Sequence, residues 1–278
     1  MKRDKATNGI QLSEELGSSG SFIMIQKLKK NQFLFEELVK RDFKKKYKRT
    51  VLGMVWSMLS PLLNLLVMDL VFSNFFGKNI SHFIIYLFSG NIVMAFYKES
   101  TKGGMKALTS NASIFTKINV PKYLFLFSKN VSALINFGLI IIIYFVFVAL
   151  DGIHFHPRFF MLIIPITCLV IMNIGIGMIL SALYVFFRDM EYLYDIFLTL
   201  LTYLSAIFYT VDRFSVQVQR YFLLNPVYVI IKYFRTIVID GNIPSLQYNM
   251  LCAFYALFFL GVGCFFYKHF NQRFLYYL

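Results

Sequence analysis

The sequence predicts an all-α membrane protein: six transmembrane helices, an amphipathic interface helix before them, and a re-entrant helix pair before the last span. Three observations predict this class. The chain has 278 residues, 58% hydrophobic and only 15% charged, whereas a soluble globular domain carries roughly 25% charged residues. Apolar stretches long enough to cross a bilayer recur along it. Its basic residues also gather on alternate connections between those stretches.

Residues 1–31 form a polar tail, read as cytoplasmic, and the first fifty residues hold no apolar core of a cleavable signal peptide. Residues 32–55 read as the interface helix. Phe35, Val39, Phe43, Tyr47 and Val51 recur every fourth residue and stack along one face, while Lys40, Arg41, Lys44, Lys45, Lys46, Lys48 and Arg49 crowd the others. The transmembrane domain then occupies 56–278, with spans expected at about 56–76, 83–108, 131–150, 159–187, 192–211 and 248–267. The first of these would serve as an uncleaved insertion signal. Residues 221–239 are interrupted by Asn225-Pro226, Lys232 and Arg235. That stretch is too polar to face lipid, and proline disfavours helical geometry in the residue before it. It therefore reads as two short re-entrant helices sheltered by protein.

With six spans and a cytoplasmic N-terminus, the segments 1–55, 98–130, 188–191 and 268–278 face the cytoplasm and hold 22 of the 28 Lys and Arg residues. The opposite side keeps Lys78, Arg158, Arg213, Arg220, Lys232 and Arg235. This bias orients the protein with both termini cytoplasmic. It also makes the net charge of +14 a topology signal. Nucleic-acid binding is excluded, because no soluble module exists to present the charge.

Several chemistries are absent. No G-x-x-x-x-G-K-[ST] loop occurs, and Gly103-Gly104 runs into Met105-Lys106 without the phosphate-cradling length, so the chain is not itself an ATPase and needs no cofactor of its own. His154 and His156 supply two potential metal ligands, but no neighbouring Cys, Asp or Glu completes a shell, so no metal is expected. Cys168, Cys252 and Cys264 sit in apolar spans and read as small reduced core residues. No nucleophile elbow or carboxylate pair suggests catalysis. Asp69 and Asp195 are ionisable groups within spans. Either each is paired or snorkelling near an interface, or it belongs to a transport path.

Four segments carry a resemblance. K-R-D-F-K-K-K-Y-K-R-T-V-L-G-M-V-W-S-M-L-S-P at 40–61, N-A-S-I-F-T-K-I-N-V-P-K-Y-L-F-L-F-S-K-N at 111–130, L-Y-V-F-F-R-D-M at 183–190 and L-N-P-V-Y-V-I-I-K-Y-F-R-T-I-V-I-D-G at 224–241 occur in the order seen in type 2 ABC transporter permeases that export polysaccharides. That group includes O-antigen, capsular-polysaccharide and teichoic-acid exporters. The resemblance covers about residues 33 to 278. It implies a six-span half-transporter in the bacterial cytoplasmic membrane that forms a homodimer and binds two copies of a separate ABC ATPase. That partner holds ATP and Mg, and the cargo is a glycan linked to a polyisoprenyl diphosphate.

The resemblance also distributes roles. Ile114, Phe115, Lys117 and Ile118, with Pro121 ending the segment, would form a short amphipathic helix docking on the ATPase; the alternative is a loop helix lying on lipid. Arg41, Lys44, Lys45, Lys46 and Arg49 would steer the anionic headgroup, or simply hold anionic membrane lipids. Trp56, Phe72, Tyr86, Tyr97, Tyr203 and Tyr209 would line the path, since sugars slide over aromatic rings; interface anchoring or core packing is the alternative. Asn225, Pro226, Lys232 and Arg235 would form an outer gate meeting phosphates, or a structural plug. Two rival functions are an ABC permease for a small hydrophobic drug or lipid, and a membrane-embedded glycosyl- or acyltransferase. The long basic helix weighs against the first and the missing catalytic groups against the second.

Overall fold

A computed structural model describes residues 31–47, 52–53, 55–76, 80–115, 117 and 120–270, and every regular element among them is helical. In chain order these are α1 (Gln32–Tyr47), α2 (Val55–Phe76), α3 (Phe83–Lys106), the single turn α4 (Ala112–Phe115), α5 (Tyr123–Leu150), α6 (Ile163–Phe186), α7 (Met190–Leu204), α8 (Val216–Phe222), α9 (Pro226–Val238) and α10 (Leu246–Phe270). Short 3₁₀ turns at Thr109–Asn111, Pro157–Leu162 and Val211–Arg213 join them. The polar tail expected over 1–31 lies outside the described residues except for Asn31.

Among the described residues, four segments are long and apolar enough to cross a membrane: Val55–Ser73, Tyr123–Leu150, Pro157–Phe186 and Leu246–Phe270. The protein is therefore an integral membrane protein. The second expected span is a continuous helix, α3, but its last turns carry Lys98, Glu99, Lys102 and Lys106. The fifth is shorter than its apolar run. α7 has 15 residues, about 22 Å at 1.5 Å per residue, against a hydrocarbon core about 30 Å thick. It stops at Leu204 because Ala206 takes a positive φ of 49°, outside helical geometry. α5 starts at Tyr123 rather than at 131. Its first turns bury Leu124, Phe125 and Leu126, so the helix begins directly after Pro121.

α3 is the centre of the bundle. It packs against α5, α6, α9 and α2, while α10 lies along α6. Ile85, Leu87, Phe88, Ile92 and Met94 of α3 are enclosed, and the Phe88 ring meets Tyr144 of α5 edge-on at 5.5 Å. Where α6 and α10 cross, a Cβ on Gly175 would collide with the Phe259 carbonyl, and one on Gly263 with the Gly175 carbonyl. Such small residues let helix backbones touch, which membrane helices use in place of a hydrophobic driving force. α9 is buried nearly all round, through Val227, Tyr228, Ile230, Ile231, Tyr233, Phe234, Ile237 and Val238. By contrast α2 exposes Leu63, Leu66, Val67, Leu70 and Val71, and α7 exposes Leu193, Ile196, Leu200 and Leu204.

The acid on α7, Asp195, is paired with Lys102 of α3 at 2.6 Å. The three cysteines are free thiols, but Cys264 is exposed on α10 and so is not the core residue that its apolar surroundings in the sequence suggest.

Candidate functional site

The first cluster surrounds α9. Asn225 caps this helix: its side-chain oxygen accepts from the Val227 and Tyr228 amides at 3.0 and 3.3 Å. Pro226 follows at the first helical position, where its missing N–H costs nothing. The Asn225 amide nitrogen donates in turn to the Leu204 carbonyl at 3.2 Å and to Ser205 Oγ at 3.0 Å, tying the start of α9 to the end of α7.

Arg235 is only 6% exposed. Its Nη1 donates to the Ala206 carbonyl at 2.8 Å, its Nη2 to the carbonyls of Tyr86 and Ile207 at 3.0 and 3.1 Å, and its Nε to Ser89 Oγ at 3.3 Å. The guanidinium carbon lies 3.3 Å from the centroid of the Tyr86 ring, a cation–π contact. Gly90 makes room for it, since a Cβ there would stand 2.9 Å from Nη2. The Tyr86 hydroxyl completes the knot by donating to the Tyr209 carbonyl at 2.7 Å. Arg235 thus holds the positive-φ turn after α7 against α3. Its donors serve protein acceptors, which revises the expectation that it meets phosphates at an exit.

Lys232, one turn earlier, is the gate cation that faces open space. Its ammonium sits 5.7 Å from the Tyr248 ring centroid and lines a cavity of about 260 Å³ with Tyr86, Asp212, Tyr228 and Asp240. Burial holds the Asp240 carboxyl above the usual carboxylate range; Asp212 adds to the shift and Lys232 opposes it. The cavity therefore carries both signs of charge.

The second cluster lies at the far end of α3. Arg41 Nη2 donates to Asn111 Oδ1 at 2.7 Å and pairs with Asp42 at 3.0 Å, while Asp42 also pairs with Lys129 of α5 at 3.0 Å. Asn111 is buried and donates to the Ala107 carbonyl at 2.8 Å. Leu38 packs beneath against Ala107, Leu108, Phe125 and Leu126. The amphipathic helix is therefore docked on α5 and on the 107–111 turn through its apolar face, and Arg41 is tied to the segment expected to contact the ATPase. Of the other basic residues, Lys44 is exposed. Lys45 and Lys46 lie on α1 with their side chains outside the description, and Arg49 lies outside the described residues. Within the coupling segment, Ile114 packs half-buried on the same cluster, Lys117 is exposed and Pro121 is half-buried. Phe115 ends α4 with its side chain outside the description, and Ile118 lies outside the described residues.

Of the six aromatic residues expected along a path, four gather around the turn after α7. The Tyr86 hydroxyl reaches the Tyr209 carbonyl, and the Tyr209 hydroxyl reaches the Tyr203 carbonyl. Phe72 joins them through Phe208, whose ring lies 6.1 Å from that of Tyr203. Tyr86 is buried in the Arg235 knot. Tyr97 is 4% exposed in the core, whereas Tyr86 still borders the Lys232 cavity. Phe72 stacks on Phe208 at 4.5 Å. Tyr203 is 59% exposed on α7, and Tyr209 donates its hydroxyl to the Tyr203 carbonyl at 2.8 Å. Trp56, 40% exposed, borders a separate cavity of about 500 Å³ between α2, α3 and α5. The polar residues of that cavity escaped the sequence reading, which weighed only Asp69 and Asp195 among the in-span acids. A usable signal was present. Ser60 and Asn64 on α2, and Asn91 and Glu99 on α3, fall at multiples of four and so share a helix face.

The apolar bundle thus has a docked basic helix at one end and the buried, capped helix α9 near the other. Residues 34–239 match the ABC-2 type transporter family. The chain belongs to this family. It is 25% identical over 234 residues to the O-antigen export system permease protein RfbA of Myxococcus xanthus, covering 83% of this chain and 89% of that protein. It is 23% identical over 229 residues to the polysialic acid transport protein KpsM of Escherichia coli, covering 80% and 89%. The capsule polysaccharide export inner-membrane protein CtrC of Neisseria meningitidis is 21% identical over 247 residues, covering 87% and 91%. These ABC-2 relatives span nearly the same length as the chain, so the likeness concerns the whole membrane unit.

Proposed function

We propose that the chain is the membrane permease subunit of an ABC exporter that carries a polysaccharide or teichoic-acid polymer, linked to a polyisoprenyl diphosphate, from the cytoplasm to the outer face of the bacterial cytoplasmic membrane. The observation that carries this reading is the family match over residues 34–239, shared with relatives named for O-antigen, polysialic acid and capsule export. The chain has no nucleotide-binding loop, so the energy comes from two copies of an ABC ATPase that bind ATP and Mg.

In this reading two copies of the chain pair along the path. The exposed apolar faces of α2 and α7 supply surface for that contact and for lipid. α2, α3, α5, α6, α7 with the turn after it, and α10 make the six spans, both termini are cytoplasmic, and α8 and α9 form the re-entrant pair. ATPase motion enters at residues 109–121 and passes through Asn111 to Arg41, so the interface helix moves with the docking segment. Lys44, Lys45, Lys46 and Arg49 steer the anionic headgroup along the cytoplasmic leaflet. Lys232 meets it at the outer cavity.

The test is reconstitution with the ATPase in inverted vesicles and measurement of ATP-dependent uptake of lipid-linked glycan. Uptake that is lost when Lys44, Lys45, Lys46 and Arg49 are neutralised together, with the complex intact, supports export and steering. No uptake, with hydrolysis stimulated instead by small hydrophobic compounds, replaces this reading with a drug or lipid exporter.

A further inference from the structure

The cavity between α2, α3 and α5 has a composition unlike the rest of the bundle. Ser60 and Asn64 project from α2, Asn91 and Glu99 from α3, and Asn136 from α5, with the Trp56 ring beside them. Three helices thus turn polar side chains to one space, beside the turns of α3 that carry Lys98 and Lys102. The volume of about 500 Å³ falls inside the usual range of small-ligand sites, roughly 300–1,000 Å³. The Asn136 amide nitrogen donates to Glu99 Oε2 at 2.8 Å, which fixes the carboxyl group in place. A group held in this way is preorganised for a ligand.

The chemistry of the lining selects among ligands. Among the described residues it holds one acidic side chain and no basic one, so a diphosphate headgroup meets Glu99 there. A metal ion is poorly served too, because no group of three or more His, Cys, Asp or Glu side chains occurs among the described residues. What remains is a neutral, hydroxyl-rich molecule. The carboxyl group accepts from hydroxyls, each asparagine amide both donates and accepts, and the serine hydroxyl does either. The partly exposed indole of Trp56 offers a flat apolar face for ring C–H groups. We propose that this cavity is a saccharide subsite, taking a neutral sugar unit of the transported polymer while the headgroup stays with the basic helix. The proposal rests on the exporter reading above and adds where the glycan itself is held.

Trp56 is the only tryptophan in the chain, so the site carries its own reporter. The full chain in phospholipid vesicles is titrated with glycan released by mild acid from the lipid-linked pool of the producing organism, and separately with sodium pyrophosphate. The expected result is a saturable change in Trp56 emission with the glycan and none with pyrophosphate. Glu99→Gln and Asn64→Leu should each weaken glycan binding about tenfold, the effect of losing one hydrogen bond worth about 1.4 kcal/mol. Ser60→Ala, the mildest change, should weaken it a few-fold and guards against misfolding of the other two. Uptake by the wild-type complex without any Trp56 response, and with Glu99→Gln transporting at the wild-type rate, overturns the subsite and leaves the exporter standing. A response to pyrophosphate alone overturns it in favour of an anion site. Absence of both uptake and Trp56 response removes the exporter reading, and the subsite with it.

Discussion

Two arginines at opposite ends of α3 look alike in the sequence and differ in the structure. Both lie in basic segments, and both read as contacts for an anionic cargo. Arg235 is enclosed, gives its donors to the carbonyls of Tyr86, Ala206 and Ile207 and to Ser89 Oγ, and lies on the Tyr86 ring. Arg41 keeps 42% of its side chain exposed and bridges Asp42, whose side chain is 5% exposed, and the buried Asn111. A buried guanidinium must satisfy its donors within the protein, because leaving them unpaired costs far more than any surface contact returns. A half-exposed one that bonds fewer buried groups holds less of the fold and can serve as a transmissible contact. One end of the bundle is therefore locked by its arginine and the other is linked by it.

The sharpest way to break this contrast is Arg235→Leu. It takes the donor from the Ile207 carbonyl, at about 1–3 kcal/mol, and removes the buried cation–π contact with Tyr86, at about 2 kcal/mol. The carbonyls of Tyr86 and Ala206 keep their bonds from Ser89 Oγ and the Tyr86 hydroxyl. The variant should lose at least about 3 kcal/mol, seen as a collapse of the monodisperse peak or a large drop in unfolding temperature in detergent. Arg235→Lys should recover only part, since an ammonium lacks the planar fork. Gly90→Ala tests the same knot from the other side. Its Cβ would stand 2.9 Å from Arg235 Nη2 and 3.1 Å from Ile207, an overpacking cost of about 1–3 kcal/mol. Asn225→Ala should cost about 1 kcal/mol through the lost helix cap, with the turn after α7 becoming faster in hydrogen exchange.

At the linked end the order of effects inverts. Arg41→Ala takes the donor from one buried acceptor, Asn111 Oδ1, and should cost about 1–3 kcal/mol, less than Arg235→Leu. It should nevertheless uncouple ATP hydrolysis from glycan uptake in the assembled complex. Stability losses equal to those of Arg235→Leu would erase the distinction. Lys232→Met should be the mildest for folding, within about 0.5 kcal/mol. It should slow uptake nonetheless; an unchanged rate would remove this lysine from the path.

Much of the architecture could be read in advance because it depends on local composition. The apolar segments of α2, α5, α6 and α10 announce themselves by length, since a bilayer demands about twenty apolar residues in a row. Asn225-Pro226 marks a helix start by capping chemistry that needs only near neighbours. The candidate site was far less legible. Tyr86 and Tyr97 have the same aromatic character as Trp56 and Tyr203, and only the packing of α3 among its neighbours puts the first two in the core. The Glu99 cavity went unnoticed because its polar residues are spread over three helices, although the spacing of Ser60 and Asn64 on α2 and of Asn91 and Glu99 on α3 marks a polar face on each.

The sequence by itself determined that this chain is helical, lies in a membrane and holds no G-x-x-x-x-G-K-[ST] loop. Those properties follow from composition, periodicity and motif, which are local. Only the tertiary structure decided that Arg235 is a buried clamp, that Arg41 ties α1 to the 107–111 turn, and that Asn64, Asn91, Glu99 and Asn136 share one cavity. Those properties depend on residues far apart in the chain being brought within 3 or 4 Å of one another. Burial and hydrogen-bond partnership are set by what the neighbouring helices supply.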